Sequence, residues 1–230
     1  CFFDHCGWLI QGDGGQNRDN GKATMYNHST YLNTCTDVTF RGNITLRPSS
    51  IHNKFTMDGT ANILLENNLY VDGEIIASIG GNDSGPYRFT NVTFRDNVAH
   101  LIGESQPTGR TLAWGLDMID WDGGTVENNV FSSWGNATVT NVWAMHSGIT
   151  SGGALRDVNI QDNIVYGVRS GGDVVALGNA SAVSNVTLSN NDIQTPGLSS
   201  QLIDLSAADG SYSFNGQRYY TDRTSSEWFQ

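Results

Sequence analysis

The chain has 230 residues, of which only 15% are charged, and its formal net charge is −11 at pH 7. This length suffices for one sizeable core, and we expect residues 1–230 to form a single domain. The excess of acidic over basic residues argues against nucleic acid and anionic membranes as partners. No run of 18 apolar residues occurs, so we also expect no membrane span.

A short motif recurs along the chain, in which apolar and polar residues alternate before an Asn and an aliphatic residue. Residues 91–98, Asn-Val-Thr-Phe-Arg-Asp-Asn-Val, are the clearest copy. The shared Asn falls at positions 43, 68, 97, 129, 163 and 191, with spacings, by subtraction, of 25, 29, 32, 34 and 28. We predict a seventh, earlier copy at residues 2–6, with His5 in the place of the Asn.

The repeat predicts a parallel β-solenoid. Each copy holds a strand with period-two alternation, whereas helical periodicity is absent and 27 Gly residues occur. Such strands stack in parallel, one coil on the next. The shared Asn suits this arrangement, because Asn tolerates a left-handed turn and its amide can hydrogen-bond the Asn of the next coil. A β-sandwich is the alternative, but a sandwich gives no reason to repeat one motif.

A second apolar segment follows the motif in most coils. These segments are residues 74–80, 113–119, 141–146, 173–178 and 201–205. Each coil therefore has at least two strands, and the Gly-, Ser- and Asp-rich pieces between them are loops of variable length. A further strand is predicted over residues 23–31, where alternation follows a long polar loop.

From residue 4 to about residue 205 the chain resembles the parallel β-helix proteins of the pectate-lyase-like superfamily. The resemblance rests on the repeated Asn motif and on the opening Phe3-Asp-His-Cys6, which is similar to a strand common in those lyases. It implies an all-β fold, a right-handed single-stranded parallel β-helix of about seven coils. That superfamily includes lyases, hydrolases, epimerases, phage tailspikes and adhesins, so the fold leaves the function open. Both ends lack the polar caps of a solenoid, and we expect a fragment of a longer chain.

Basic and titratable side chains gather in the first two coils: Tyr26, His28, Tyr31, Arg47, His52 and Lys54. β-Elimination on a uronate needs a base, a cation that neutralises the carboxylate, and an acid for the leaving oxygen. Lys54 or His28 suits the base, Arg47 the cation, and Tyr31 or His52 the acid. The alternative is that these side chains only decorate the surface, with both His residues hydrogen-bonded in turns.

A rival site lies in the middle coil, where Asp117, Asp120 and Asp122 fall within six residues. In one continuous strand Asp120 and Asp122 share a face and Asp117 lies opposite. Paired carboxylates, with Glu104 or Glu127 as further partners, suit glycoside hydrolysis. We assign Asp117, Asp120, Trp121 and Trp143 to substrate binding, since flat indole rings stack on sugars. The alternative places Asp122 in a turn, and Trp114, Trp121, Trp134 and Trp143 in the core.

Cofactor and thiol chemistry receive weaker support. Asp13 and Asp19, in a long polar loop, are candidate Ca²⁺ ligands, although a solvated loop is the simpler interpretation. Three Cys residues leave at least one free thiol, and a Cys6–Cys35 pair is one option. No Cys or His spacing suits a zinc site.

Three functions are compatible with the sequence. The first is a polysaccharide lyase acting on an acidic, uronate-containing polymer. The second is a tailspike-like or adhesin-like protein that binds or hydrolyses glycans, and the third is a purely structural solenoid. We expect a polysaccharide partner, a monomer or homotrimer, and a location outside the cell or on the cell or virion surface. The acidic net charge favours a neutral glycan. Charged side chains in a cleft nevertheless affect a bound substrate more than distant ones do, because salt screens charges that are more than about 10 Å away.

Overall fold

A computed structural model describes residues 1–8, 23–57, 59–80, 88–135, 138–147, 154–168, 173–177, 182–195, 201–205 and 210–221. These residues form 22 strands, and none of them lies in a helix long and apolar enough to cross a membrane.

The strands form three parallel sheets. Sheet A contains β1 (Phe2–Asp4), β4 (Ile44–Leu46), β7 (Leu69–Val71), β10 (Val98–His100), β13 (Val130–Trp134), β16 (Ile164–Val168), β19 (Asp192–Gln194) and β22 (Arg218–Tyr220). Sheet B contains β2 (Thr30–Asn33), β5 (Ile51–Thr56), β8 (Ile75–Gly80), β11 (Leu112–Ile119), β14 (Asn141–His146), β17 (Val175–Ala176) and β20 (Ile203–Asp204). Sheet C contains β3 (Thr36–Arg41), β6 (Ala61–Glu66), β9 (Phe89–Arg95), β12 (Trp121–Glu127), β15 (Ala154–Gln161), β18 (Ala182–Ser189) and β21 (Gly210–Asn215).

The chain visits sheets A, B and C in turn, so each full coil supplies one strand to each sheet. Neighbouring coils pair in parallel with matched register, which confirms the predicted all-β parallel β-helix of about seven coils. The coil has three strands, one more than the minimum predicted, because the repeated motif crosses a corner. Its first half is a sheet C strand, and the residue after the Asn begins a sheet A strand.

The predicted Asn ladder is confirmed. The Asn97 side chain, for example, donates from Nδ2 to Asn129 Oδ1 at 3.1 Å and to the Leu65 carbonyl at 2.9 Å. Its Oδ1 accepts the backbone N–H and the side-chain amide of Asn68. Equivalent bonds join Asn43, Asn68, Asn129, Asn163 and Asn191, and Gln217 accepts from the last of these. The ladder satisfies the polar groups at the buried corner between sheets C and A.

The left-handed residue of this corner is not the ladder Asn, contrary to the prediction. It is the residue just before it: Asn67, Asp96, Asn128, Asp162 and Asn190 all have φ between 54° and 55°. Asn and Asp tolerate this conformation better than other side chains, which explains the Asn-Asn and Asp-Asn pairs. The ladder residue is thereby free to turn its amide inward.

The register of the earliest copy also differs from the prediction. Phe2 pairs with Ile44, so Cys1 lies beside the Asn ladder and its amine donates to Asn43 Oδ1 at 3.1 Å. His5 instead follows strand β1 and corresponds to Arg47, and both have positive φ. The strand predicted over residues 23–31 begins only at Thr30.

The core fills the space between the three sheets. Aromatic side chains from sheets A and C stack on one another there, as in the series Tyr70, Phe94 and Phe131, whose ring centroids are 6.2 and 6.4 Å apart. Trp121 and Trp134 are fully buried in this core and donate their indole N–H groups to backbone carbonyls at 2.8 Å. All three Cys residues are free thiols, so the optional Cys6–Cys35 bridge is not formed.

Candidate functional site

The two groups of candidate residues meet on the outer face of sheet B. Strand pairing aligns Tyr31 with Lys54, Lys54 with Ser78, Ser78 with Asp117, and Asp117 with His146. We call these five residues the sheet B column. The next residue along the strand, exemplified by Phe55, Ile79 and Met118, lies in the core. Because successive side chains of a strand alternate, the column faces outward, with about 4.8 Å between neighbours.

Hydrogen bonds join four members of the column into a chain. The Lys54 ammonium donates to Ser78 Oγ at 2.8 Å, and the Ser78 hydroxyl donates to Asp117 Oδ2 at 3.2 Å. The other carboxylate oxygen lies 3.1 Å from His146 Nδ1. An ionised carboxylate can only accept, so this bond assigns a proton to His146 Nδ1. The side chain of Asp117 is therefore oriented by neighbours on both adjacent coils, and that of Lys54 by Ser78.

Exposure changes along the column. Asp117 and His146 are only 5% and 2% exposed, whereas Tyr31 is 55% exposed. Lys54 lies between these extremes. The buried end thus holds a carboxyl group hydrogen-bonded to an imidazole, and the accessible end presents a phenol and an ammonium group. A large ligand would meet Tyr31 and Lys54 first.

His28 completes the accessible end. Its ring stacks on Tyr31, with centroids 5.3 Å apart and an interplanar angle of 11°. Burial lowers the pKa of His28 to about 4, and the positive charges of Lys54 and Arg110 contribute to the lowering. The imidazole is therefore neutral at neutral pH, although it lies beside a cation. A neutral imidazole is able to accept a proton and so to act as a general base, although its lowered pKa makes it a weaker base than an ordinary histidine.

A loop over residues 101–111 forms the wall beside the column. It is fastened by Glu74, a fully buried carboxylate that accepts hydrogen bonds from Arg110 Nε at 2.8 Å and from the Thr108 backbone at 2.9 Å. Arg110 also donates to Ser50 Oγ at 2.7 Å. Since both ions have several partners, the buried pair is well compensated. It holds the guanidinium group close enough to His28 to influence the pKa of that imidazole.

Aromatic and apolar side chains border the column on the same side as the loop. Ile51, Ile75 and Leu112 form a small cluster outside the main core, and Trp114 packs against it. Trp114 stacks on Trp143 with centroids 4.7 Å apart. Trp143 in turn stacks on His146 at 4.3 Å and so helps to fix the imidazole that contacts Asp117. The site is a polar strip with an aromatic border, a composition suited to carbohydrate.

Two of the five predicted catalytic residues lie elsewhere. Arg47 follows strand β4 and donates to both oxygens of Asp4, at 2.7 and 3.1 Å. His52 is fully buried, packs edge-on against Tyr70 with centroids 5.4 Å apart, and lies 2.7 Å from the Asp72 carbonyl. Burial lowers its pKa to about 4. His52 is a core residue, because its strand position points inward rather than outward.

A corner of the coil separates the three Asp residues that were predicted to form one site. Asp117 ends up on sheet B, whereas Asp122 lies on sheet C and pairs with Arg88. Asp120 sits between the two strands with φ 59° and accepts the Ala154 backbone N–H at 3.0 Å. Burial raises the pKa of Asp120. The prediction that Asp120 and Asp122 share a strand face is therefore wrong, and Trp121 has no exposed surface for a sugar.

Several site residues were missed from the sequence: Glu74, Ser78, Arg110 and His146. The sequence signal that could have identified them is an alignment of the second apolar segments on Trp114 and Trp143. That alignment places Ser78, Asp117 and His146 in one register. Asp204 continues the column two coils beyond His146, and the nearby Asp173 has a raised pKa, caused by burial and then by the Asp204 charge.

Metal binding has no support from the described part of the chain, where no group of three or more His, Cys, Asp or Glu side chains could hold an ion. The candidate Ca²⁺ ligands Asp13 and Asp19 lie outside the described residues. No family model, curated protein or solved structure matches this chain significantly.

Proposed function

We propose that this protein is a carbohydrate-active β-helix protein of the pectate-lyase-like type that cleaves an acidic, uronate-containing polysaccharide by β-elimination. One observation carries the proposal. A neutral imidazole, a phenol and an ammonium group, from His28, Tyr31 and Lys54, lie together at the accessible end of the sheet B column. These are the three chemical groups that the reaction needs.

The roles follow from charge and exposure. His28 takes the proton α to the uronate carboxylate, because its lowered pKa keeps the imidazole neutral. The Lys54 ammonium neutralises that carboxylate, which stabilises the carbanion-like transition state. Tyr31 donates its phenolic proton to the leaving glycosidic oxygen as the carbon–oxygen bond breaks and the carbon–carbon double bond forms. His28 then releases its proton to solvent and the tyrosinate takes up a proton from solvent, so that the site is restored.

The buried part of the column positions Lys54. Ser78 holds the ammonium group at 2.8 Å, and Asp117 holds Ser78. His146 fixes Asp117 from the other side at 3.1 Å. Arg47 has no part in this scheme, since its guanidinium is occupied by Asp4 at another corner of the coil. The substrate proposed here also implies a location outside the cell or on a cell or virion surface.

The test is ultraviolet absorbance of the unsaturated uronate product during incubation with alginate, pectate, chondroitin or dermatan, with and without Ca²⁺. We expect a rise with one of these polymers. His28→Ala, Tyr31→Phe and Lys54→Ala should each lose on the order of 100-fold in rate or more. Arg47→Ala, which alters a basic residue of the same coils, serves as the matched control and should retain activity. A flat trace from folded parent protein with every polymer refutes the proposal for those substrates.

Binding or hydrolysis of a neutral glycan, as in a tailspike-like or adhesin-like protein, is the second candidate. It is favoured by the net charge of −11 and by the aromatic border of Trp114 and Trp143. The raised pKa of Asp173 suits a general acid, with Asp204 as its neighbour. New reducing ends without ultraviolet absorbance identify hydrolysis, and glycan retention without products identifies binding alone.

A further inference from the structure

The outer face of sheet A differs in composition from the outer face of sheet C. Its strands carry two outward columns, which we call the sheet A face. The first column contains Phe2, Ile44, Leu69, Val98, Val130 and Ile164, followed by Asp192 and Arg218. The second contains Asp4, Leu46, Val71, His100, Ser132 and Tyr166, followed by Gln194 and Tyr220. Six consecutive aliphatic or aromatic residues in the first column form a continuous apolar stripe.

This stripe is exposed in the folded chain. Phe2, Val98 and Ile164 are 64%, 39% and 44% exposed, and Tyr166 in the second column is also largely exposed. Eight strands at about 4.8 Å spacing make the sheet A face about 34 Å long. Contiguous apolar patches of more than a few hundred Å² are unusual on the surface of a monomer and mark interaction sites.

The outer face of sheet C shows what a solvent-facing side of this β-helix contains. One of its outward columns consists of Thr39, Leu64, Thr93, Thr125, Asn159 and Thr187. The next column consists of Arg41, Glu66, Arg95, Glu127, Gln161 and Ser189, and its charged members pair across coils. The same backbone geometry thus tolerates polar side chains in outward columns. The apolar content of the sheet A face is therefore not a requirement of the fold.

The charge distribution indicates which partner covers the sheet A face. The chain as a whole carries −11, so contact between two copies is repulsive over most of the surface. On this face, however, Asp4 is paired with Arg47 and Asp192 with Arg218. The acidic groups of both columns are thus neutralised within the chain, and the apolar stripe between them carries no charge. Asp96, which borders the stripe beside Val98, lies 3.9 Å from Arg95, so a second copy meets less net charge there than over the rest of the surface.

We propose that the sheet A face is a self-association surface, on which a second copy of this chain packs with its own sheet A face. Most sheet A strands have three residues, or about 10 Å, so a face about 34 Å long buries roughly 350 Å² on each copy, or roughly 700 Å² in total, which is less than a standard interface. We therefore expect weak association, with a dissociation constant between about 1 and 100 μM. The sheet B column and its wall remain accessible in this assembly.

Analytical ultracentrifugation from about 1 μM to about 1 mM chain tests the proposal. The parent should shift from monomer to a discrete oligomer over this range. Val98→Lys and Ile164→Lys each place a charge within the stripe and should weaken association on the order of 100-fold. Leu64→Lys, an equivalent aliphatic-to-lysine change on the sheet C face, is the matched control and should associate like the parent. Circular dichroism and thermal unfolding confirm that each variant is folded.

A second measurement uses the unaltered protein. Hydroxyl-radical footprinting should show that Phe2 and Tyr166 become protected as the chain concentration rises, while Tyr31 on sheet B keeps its reactivity. A parent that is monomeric at about 1 mM overturns the proposal. So does an oligomer in which Val98→Lys, Ile164→Lys and Leu64→Lys behave alike, or in which Phe2 and Tyr166 stay reactive. Oligomers larger than the dimer that respond to Val98→Lys still identify the sheet A face as the contact.

Discussion

The electrostatic coupling between His28 and Lys54 can be measured without any knowledge of the substrate. The pKa of His28 is lowered from 6.5 to about 4, and burial is the largest cause, followed by Lys54 and then Arg110. Burial causes the largest part of this shift, and the charges of Lys54 and Arg110 cause the rest. Lys54 therefore accounts for at most about one pH unit of the lowering. Lys54→Gln should therefore raise the pKa of His28 by up to about one pH unit, because removal of a positive neighbour makes protonation easier.

Nuclear magnetic resonance titration of the five imidazoles provides the assay, with signals assigned from single His→Gln variants. Lys54→Arg keeps the charge and should leave the pKa of His28 near 4. His52 is an internal reference, since its pKa of about 4 comes mainly from burial and should not respond to either variant. An ordinary His28 pKa near 6.5 in the parent, or one that is identical in the parent and Lys54→Gln, would refute the assignment of a neutral base held beside a cation.

Three further outcomes are expected. First, the folded-state pKa of His52 lies below its unfolded value of 6.5, so the unfolded state binds the proton first as pH falls from 6.5 to 4. The free energy of unfolding should fall by about 3 kcal/mol over that interval, and His52→Gln should remove this part of the slope in urea titrations at a series of pH values. Second, Asn129→Ala leaves several buried partners of its amide unsatisfied, and should cost about 3 kcal/mol or more in the same assay. A loss below about 1 kcal/mol would contradict the importance of the ladder. Third, Glu74→Gln leaves the Arg110 charge only partly compensated, and should cost about 3 kcal/mol and speed amide exchange in residues 101–111. Unchanged exchange there would show that the ion pair does not fasten the loop.

The fold was predictable because the repeat is a local signal. Period-two alternation and an Asn at spacings of 25 to 34 residues require nothing beyond the sequence. The conformation of the corner was assigned less well, since two adjacent residues both suit a left-handed turn. In the structure the residue before the ladder Asn takes that conformation, as at Asp96, so that the Asn97 amide can reach inward. Which of two such residues adopts positive φ depends on the neighbouring coil.

The site was predicted only in part, because its residues are brought together by register. His28, Tyr31 and Lys54 were selected by chemical type, Asp117 by its neighbouring carboxylates and Trp143 by its indole ring. Their position on one face depends on how the sheet B strands align. His52 shows the limit of this approach. It lies two residues before Lys54, yet its side chain is buried and that of Lys54 is not. Burial along strand β5 therefore does not follow a simple count of alternate residues.

The stacked architecture makes the chain unequally sensitive to changes in length. The spacing between successive ladder Asn residues varies from 25 to 34, so loops gain or lose residues without moving the strands. Deleting one residue within strand β8, by contrast, would turn Ser78 inward and present a neighbouring core residue to solvent. The chain of hydrogen bonds from Lys54 to Asp117 would then be broken at its midpoint. Loops of this protein are thus suited to insertions and tags. An insertion or deletion within a strand, by contrast, changes which side chains belong to the outward columns.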